Sequence, residues 1–217
     1  MKQVALILTI LFSSSLYAQD AGEFFSGARF AMGSAEFKAT PESNEDDINT
    51  KLMFAAGFNA NYFFTRSVGV GTDIMLNFLG SEANGVQEGG VGSSDREYKD
   101  KWSFIRLELP LLGKLAIPVA ENFSLVGFGG PSFDFNLAGN YSRTFDDGNN
   151  NVDESIETLE TISSSIKFGA GVMVKGKNGQ IFMLDARVSR DLGPFFERKE
   201  DQNYRLGYFA LSIGVGF

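Results

Sequence analysis

Arg106 and Glu108 stand two residues apart in a run that otherwise alternates with isoleucine and leucine, and Asp185 and Arg187 repeat the arrangement. In an extended strand residues i and i+2 share a face, so each pair presents opposite charges to one side. Asp73, Lys114 and Lys167 occupy the polar face of their own alternating runs. Seven such groups can form ion pairs in a confined interior or line a charged path. They are poorly placed for catalysis. The chain has no His and no Cys, so the usual general base, the commonest metal ligand and the thiol nucleophile are all missing. Its serines have nothing of those types to activate them. No catalytic residue, metal site or cofactor is expected, and the protein reads as a non-enzyme.

Two other polar groupings carry less. Glu42-Ser43-Asn44-Glu45-Asp46-Asp47 and Asp146-Asp147-Gly148-Asn149-Asn150-Asn151-Val152-Asp153-Glu154 are oxygen-rich, as calcium sites are, but their spacing fits no EF-hand loop. They read as solvated acidic loops. Gly169-Ala170-Gly171 and Gly127-Phe128-Gly129-Gly130 lack the strand-to-helix setting of a phosphate-binding loop and read as glycines under crowded aromatic neighbours. The formal net charge of −8 excludes a nucleic-acid partner, which would need a basic face.

The elements that must position the seven charges are strands. Phe is abundant at 22 residues and Gly at 25, a balance suited to strands that bend or approach closely. Period-2 alternation recurs eight times. In the last segment Phe209, Leu211, Ile213, Val215 and Phe217 face one way, while Tyr208, Ala210, Ser212, Gly214 and Gly216 face the other. Phe182, Leu184, Ala186 and Val188 alternate with Met183, Asp185, Arg187 and Ser189. Ile166, Phe168, Ala170 and Val172 alternate with Ser165, Lys167, Gly169 and Gly171. Similar runs cover 123–137, 102–115, 68–78, 52–62 and, most weakly, 25–36, where Phe30 and Met32 lie opposite Arg29. Gly129-Gly130-Pro131 is expected to mark a bulge or bend, and Pro110, which has no ladder donor, a local kink or bulge.

Short turns near 65–67, 118–122 and 176–179 alternate with long polar stretches near 37–50, 80–99, 139–161 and 192–204. That is the layout of an outer-membrane barrel, with the long loops outside and both termini periplasmic. The expected fold is all-β: an eight-stranded antiparallel up-and-down transmembrane β-barrel, monomeric, in a bacterial outer membrane, with lipid as its surroundings. A soluble lipocalin-like carrier shares the alternation and differs in which face looks outward. Residues 1–18 read as a signal peptide, with Lys2, an apolar core over Val4–Phe12 and a small residue at Ala18, leaving 19–217 as the barrel domain.

Two stretches carry a family resemblance. The run from Gly207 to Phe217, with its aromatic last residue, resembles the terminal strand of outer-membrane barrels. The resemblance implies that Phe209, Leu211, Ile213, Val215 and Phe217 are recognised by the barrel-assembly machinery. The run Ile105-Arg106-Leu107-Glu108-Leu109-Pro110-Leu111-Leu112-Gly113-Lys114-Leu115 resembles a strand of the PorT-like outer-membrane β-barrel family through Leu107, Glu108, Pro110, Leu111, Leu112 and Lys114. It departs from that pattern at Ile105-Arg106 and at Gly113. The resemblance implies the barrel but no single function, since that family includes secretion-system components. Physically, Arg106, Glu108, Lys114 and Arg187 are expected in an internal ion-pair network with Asp73, Lys167 and Asp185 that fills the lumen. A structural or interaction role through the acidic loops, with an unidentified protein partner, is the expected function. A subunit of a secretion or assembly complex and a narrow channel are the alternatives.

Overall fold

The computed structural model describes residues 22–40, 48–87, 96–146, 151–156, 160–194, 196–199 and 202–217. The signal-peptide reading of 1–18 and the acidic run 42–47 lie outside the described residues, as does most of the Asp146–Asn150 stretch. Eleven strands follow in chain order: β1 (Glu23–Thr40), β2 (Ile48–Phe63), β3 (Val68–Gln87), β4 (Arg96–Pro110), β5 (Leu112–Ala120), β6 (Phe123–Phe145), β7 (Val152–Ser155), β8 (Ile162–Lys175), β9 (Ile181–Asp191), β10 (Phe196–Lys199) and β11 (Gln202–Gly216). Neighbours pair antiparallel in the order β1-β2-β3-β4-β6-β8-β9-β11, and β11 returns to β1 from Gly27↔Gly216 to Thr40↔Asn203. The sheet is therefore a closed ring of eight walls. Closure removes the open edges that hydrocarbon cannot hydrate.

β4 and β5 form one of those walls. On the β3 side Met75 pairs with Glu108 and Gly71 with Leu112, and on the β6 side Pro110 pairs with Ser132 and Gly113 with Gly129, so both registers run through unbroken. Pro110 therefore interrupts the ladder without the bulge expected of it, and the amide of Leu111 still donates to Pro131 O at 2.9 Å. The Gly129-Gly130-Pro131 bulge is also absent, since these residues pair in register with Phe168, Lys167 and Ile166. Gly130 serves close approach instead, for a Cβ there would lie 2.0 Å from the Leu111 carbonyl oxygen. The bulge of β6 falls at Leu137, where Ile105↔Ala138 is followed by Arg106↔Asn136.

Short turns join the walls at one end. Between β2 and β3 the Thr65 hydroxyl accepts from the amides of Ser67 and Val68, and between β8 and β9 Gly179 adopts φ 80°, a conformation that favours glycine. At the other end the strands run further than the sequence suggests. β3 continues to Gln87, β4 begins at Arg96, and β7 and β10 pair with the outer extensions of β6 and β11. Parts of the stretches expected as long loops are thus paired strand. The hydrophobic alternation fades there because neither face meets lipid, while the backbone ladder persists.

The burial pattern decides between the membrane barrel and the soluble carrier. Among the described residues 28 large apolar side chains are exposed, including Phe30, Phe58, Phe133, Phe168, Leu184 and Leu211, while 23 polar or charged residues are buried. A water-soluble barrel would invert this, because apolar surface on that scale would drive association. The outer face is an apolar belt, and the wet chemistry is inside. Membrane residence rests on these strands, since no helix among the described residues is long and apolar enough to cross.

Candidate functional site

The lumen is filled in three zones. At the end bearing the short turns, Phe25, Phe63, Ala116, Met173, Ile181 and Met183 form an apolar cluster, with the Phe25 and Phe63 rings stacked at 6.2 Å. Toward the opposite end a second apolar cluster, containing Met53, Met75, Leu79, Trp102, Phe104 and Leu206, lines the β1–β4 and β11 side. The charged side chains lie between and beside these clusters.

They fall into two layers. Nearer the turns, Asp73 of β3 is the hub. Arg29 donates to it at 3.1 and 3.2 Å, Arg187 donates to it at 3.0 Å, and the ammonium of Lys114 lies 4.0 Å away. Asp185 pairs with Arg187 at 3.0 Å and with Arg29. Arg29 Nε reaches Ser212 at 2.7 Å, and Lys114 donates to Asn61. The Phe128 ring lies 5.4 Å from the Arg187 guanidinium and 5.7 Å from the Lys114 ammonium, and it packs against Gly169, where a Cβ would come within 2.2 Å of it.

The second layer lies two to four residues further from the turns. Arg106 holds Asp191 with both terminal nitrogens at 2.8 Å, a bidentate pair, while its Nε donates to Asn136 at 2.8 Å and Asp134 stands 3.5 Å off. Glu108 accepts from Lys167 at 2.6 Å and from the Tyr208 hydroxyl at 2.8 Å. Lys167 also donates to Ser189, and Asp134 accepts from Ser165.

All seven charges anticipated from alternation are buried. The structure joins Glu108 to Lys167 and Asp73 to Arg187, Lys114 and, through Arg187, Asp185. Arg106 is bonded instead to Asp191, with Glu108 near enough to act on its charge through space, and Lys114 pairs with Asp73. Arg29, Asp134 and Asp191 belong to the same clusters and were not anticipated there. Parity carried the signal for all three: Arg29 lies opposite Phe30 and Met32 on β1, Asp191 continues the Asp185, Arg187, Ser189 face of β9, and Asp134 sits between Ser132 and Asn136 on β6. Counting these three, five cations face five carboxylates within the two layers. The turn-side layer has one cation in excess and the other layer one carboxylate, so the whole is neutral.

Among the described residues, three buried polar atoms at the level of the layers, Asn59 Oδ1, Asn61 Nδ2 and Glu108 Oε1, have no partner among the protein groups. Asn61 borders a cavity of about 20 Å³ that also touches Arg29, Lys114 and Asp185 and matches a single water in size. Above the belt, Arg143 clamps Asp100 at 2.7 and 2.8 Å and lies 3.9 Å from the Tyr98 ring centre. Among the described residues no cluster of His, Cys, Asp and Glu could hold a metal ion. Phe209, Leu211, Ile213 and Phe217 are exposed on the outer face of β11, with Val215 partly covered.

A closed antiparallel ring of eight walls, apolar outside and charge-paired inside, defines an outer-membrane β-barrel. Residues 17–197 match the family described as outer membrane protein beta-barrel domain, and the chain belongs to that family. It resides in the bacterial outer membrane. Solved structures with a similar course include Ail, the attachment invasion locus protein of Yersinia pestis (18% identity, 91% of this chain and 100% of that one, TM-score 0.37). OprG of Pseudomonas aeruginosa aligns at 12% identity over 92% of this chain and 96% of its own, with TM-score 0.49. Neisserial surface protein A aligns at 11% identity over 92% and 100%, with TM-score 0.44. No curated protein matches the sequence.

Proposed function

We propose that this protein is a closed, non-enzymatic barrel that anchors extracellular strand extensions in the outer membrane and works through the surface they present. The observation that carries this reading is the lumen. Every charge in the two layers has an oppositely charged neighbour within 4.0 Å, and the turn-side end is filled by Phe25, Phe63, Met173, Ile181 and Met183. An eight-stranded interior has room for side chains and little else, and paired charges of this kind plug a bore. The buried network is thereby structural, and the function moves to the part outside the membrane. There β3–β4, β6–β7 and β10–β11 continue as paired strand past the belt. The acidic segments between them suit a basic or cationic protein surface.

Planar-bilayer recording tests the closed lumen. Wild type and Arg106→Ala are expected to show no discrete conductance, and steady unitary currents from wild type would overturn the reading. The second reading, a subunit of a secretion or assembly complex, is favoured by the PorT-like wording of Leu107-Glu108-Leu109-Pro110-Leu111-Leu112 and Lys114. Co-purification of a stable periplasmic or inner-membrane complex with the intact barrel would select it. Two processing steps complete the proposal: removal of residues 1–18, leaving Gln19 first, and recognition of the outer-facing β11 residues ending at Phe217 by the assembly machinery.

A further inference from the structure

A lysine cluster on the outer wall stands directly above an apolar groove of the belt. In β3 the even-numbered residues face outward, so Phe78 lies in the belt, Gly80 marks its upper limit and Glu82 stands above. Glu82 gathers cations from both neighbouring strands. Lys51 of β2 bonds it at 2.5 Å, Lys99 of β4 pairs with it as well, and exposed Lys101 stands opposite it in the β3–β4 register. Directly opposed residues share a face.

Lys51 reaches this face because β2 is irregular between Thr50 and Phe54. Its stem passes 3.5 Å from where a side chain at Gly80 would begin, so the missing side chain makes room for it. At the level of Glu82 three lysines stand around one carboxylate, and the next outward-facing carboxylate of these three strands, exposed Glu97, lies two residues further from the belt than Lys99. Lys51 and Lys99 are respectively 36% and 45% exposed, so their ammonium groups are open to a ligand even while bonded to Glu82.

Below the cluster, small outward Ala56 is ringed by Phe30, Met32, Phe54, Phe78 and Leu211, and the walls enclose an open groove of about 460 Å³ that is almost wholly apolar. Phe54 pairs with Phe78, so the groove and the cluster share two strands. From Phe78 to Glu82 is four residues, about 13 Å along the strand and roughly 10 Å in height at barrel tilt. An occupant must therefore place acyl chain in the groove and negative charge about one headgroup above it. The cluster lies at the end away from the short turns, which is the outer leaflet.

We propose that this wall is a binding site for a phosphorylated glycolipid of the outer leaflet, with acyl chain against Ala56 and phosphate on Lys51, Lys99 and Lys101. The inference rests on the membrane placement and not on the closed lumen. A zwitterionic phospholipid brings no surplus negative charge and a free phosphate no chain, so neither satisfies both halves. Glu82 is the counterweight that holds the lysines in place without ligand.

The test is retention of defined lipids by the full barrel, measured by native mass spectrometry from mixed micelles. The probes are bisphosphorylated lipid A, its dephosphorylated form, phosphatidylethanolamine and a chain-free glucosamine phosphate. Heat-modifiable gel mobility confirms that each variant is folded. Wild type is expected to prefer the bisphosphorylated lipid, and each Lys→Gln change should weaken it about five-fold. Glu82→Gln should tighten it, and Ala56→Phe should lower retention of every acylated probe. Equal retention of the bisphosphorylated and dephosphorylated lipids by wild type would overturn the proposal. So would retention of phosphatidylethanolamine at the same level, an unchanged Lys51→Gln/Lys99→Gln/Lys101→Gln variant, or glucosamine phosphate binding as tightly as the lipid. The single-lysine variants decide the matter should the triple variant not fold.

Discussion

Arg106 is the most demanding side chain in the molecule. It is fully buried, and its three nitrogens are committed to Asp191, Asn136 and Ser163, with Asp134 behind. Removing one member of a buried pair leaves an uncompensated charge, a loss of about 3–5 kcal/mol, whereas replacing both with apolar groups is often nearly neutral. Arg106→Ala is therefore expected to destabilise the barrel by about that amount, because it strands the Asp191 carboxylate. Arg106→Leu with Asp191→Leu should recover the part of the loss that Asp191 carries. Asp134 keeps the Ser132 and Ser165 hydroxyls at 2.5 and 2.6 Å but loses the cation 3.5 Å away, so its share of the cost remains. Urea titration of the folded, heat-modifiable band measures both variants. A double variant as weak as the single one would show that the network is more than neutral filling. The same logic explains why the site was only partly legible. Alternation tells which charges share the lumen, but pairing across a tilted barrel depends on stagger, so Glu108 bonds Lys167 of β8, far away in the chain.

At the scale of the strand, the tight curvature of an eight-walled ring falls on a few glycines. Gly57 pairs with Met75 on β3, and a Cβ there would lie 1.9 Å from the Ile74 carbonyl oxygen. Gly171 on β8 is similar, 2.1 Å from Leu184 O. Backbone cannot yield as a side chain tip can, so Gly57→Val should force the β2–β3 ladder apart. The expected outcome is loss of the heat-modifiable folded form on refolding into vesicles, with Gly113→Ala, whose Cβ meets nothing nearer than 3.7 Å, as the tolerated control. These glycines also show how much of the fold the residues declare. Eight strands, their inner and outer faces and the three short turns are visible as alternation, because lipid on one side and charge on the other impose it. The strand extensions beyond the belt carry no such contrast and read as loop. The bulge at Leu137 was likewise hidden. A Gly-Gly-Pro string looks like a break, while the real shift sits in Phe135-Asn136-Leu137-Ala138, where nothing in the residue types announces it.

For the whole molecule the decisive quantity is which face meets hydrocarbon. Leu211 and Leu184 are 53% and 55% exposed, pair with Met32 and Ala186 and with Ile213 and Val172 on neighbouring walls, and belong to the continuous apolar belt. Arg187, three residues from Leu184 on β9, is 5% exposed and faces Asp73 and Asp185. A charged side chain on the lipid face near the midplane costs about 2–4 kcal/mol, falling toward zero at the interfaces. Leu211→Arg is therefore expected to lower unfolding stability by about that amount in vesicles, while Lys101→Arg at the rim leaves it unchanged. Spin labels give the same answer without a charge. Labels at Leu184 and Leu211 should be broadened by oxygen, which partitions into acyl chains, and shielded from a water-soluble nickel complex. A label at Gly176, in the turn between β8 and β9, should show the reverse. If Leu211→Arg is neutral and the Leu184 label sits in water, the belt is not a belt. The barrel would then be turned inside out relative to its solvent, and both the closed lumen and the lipid wall would lose their physical basis.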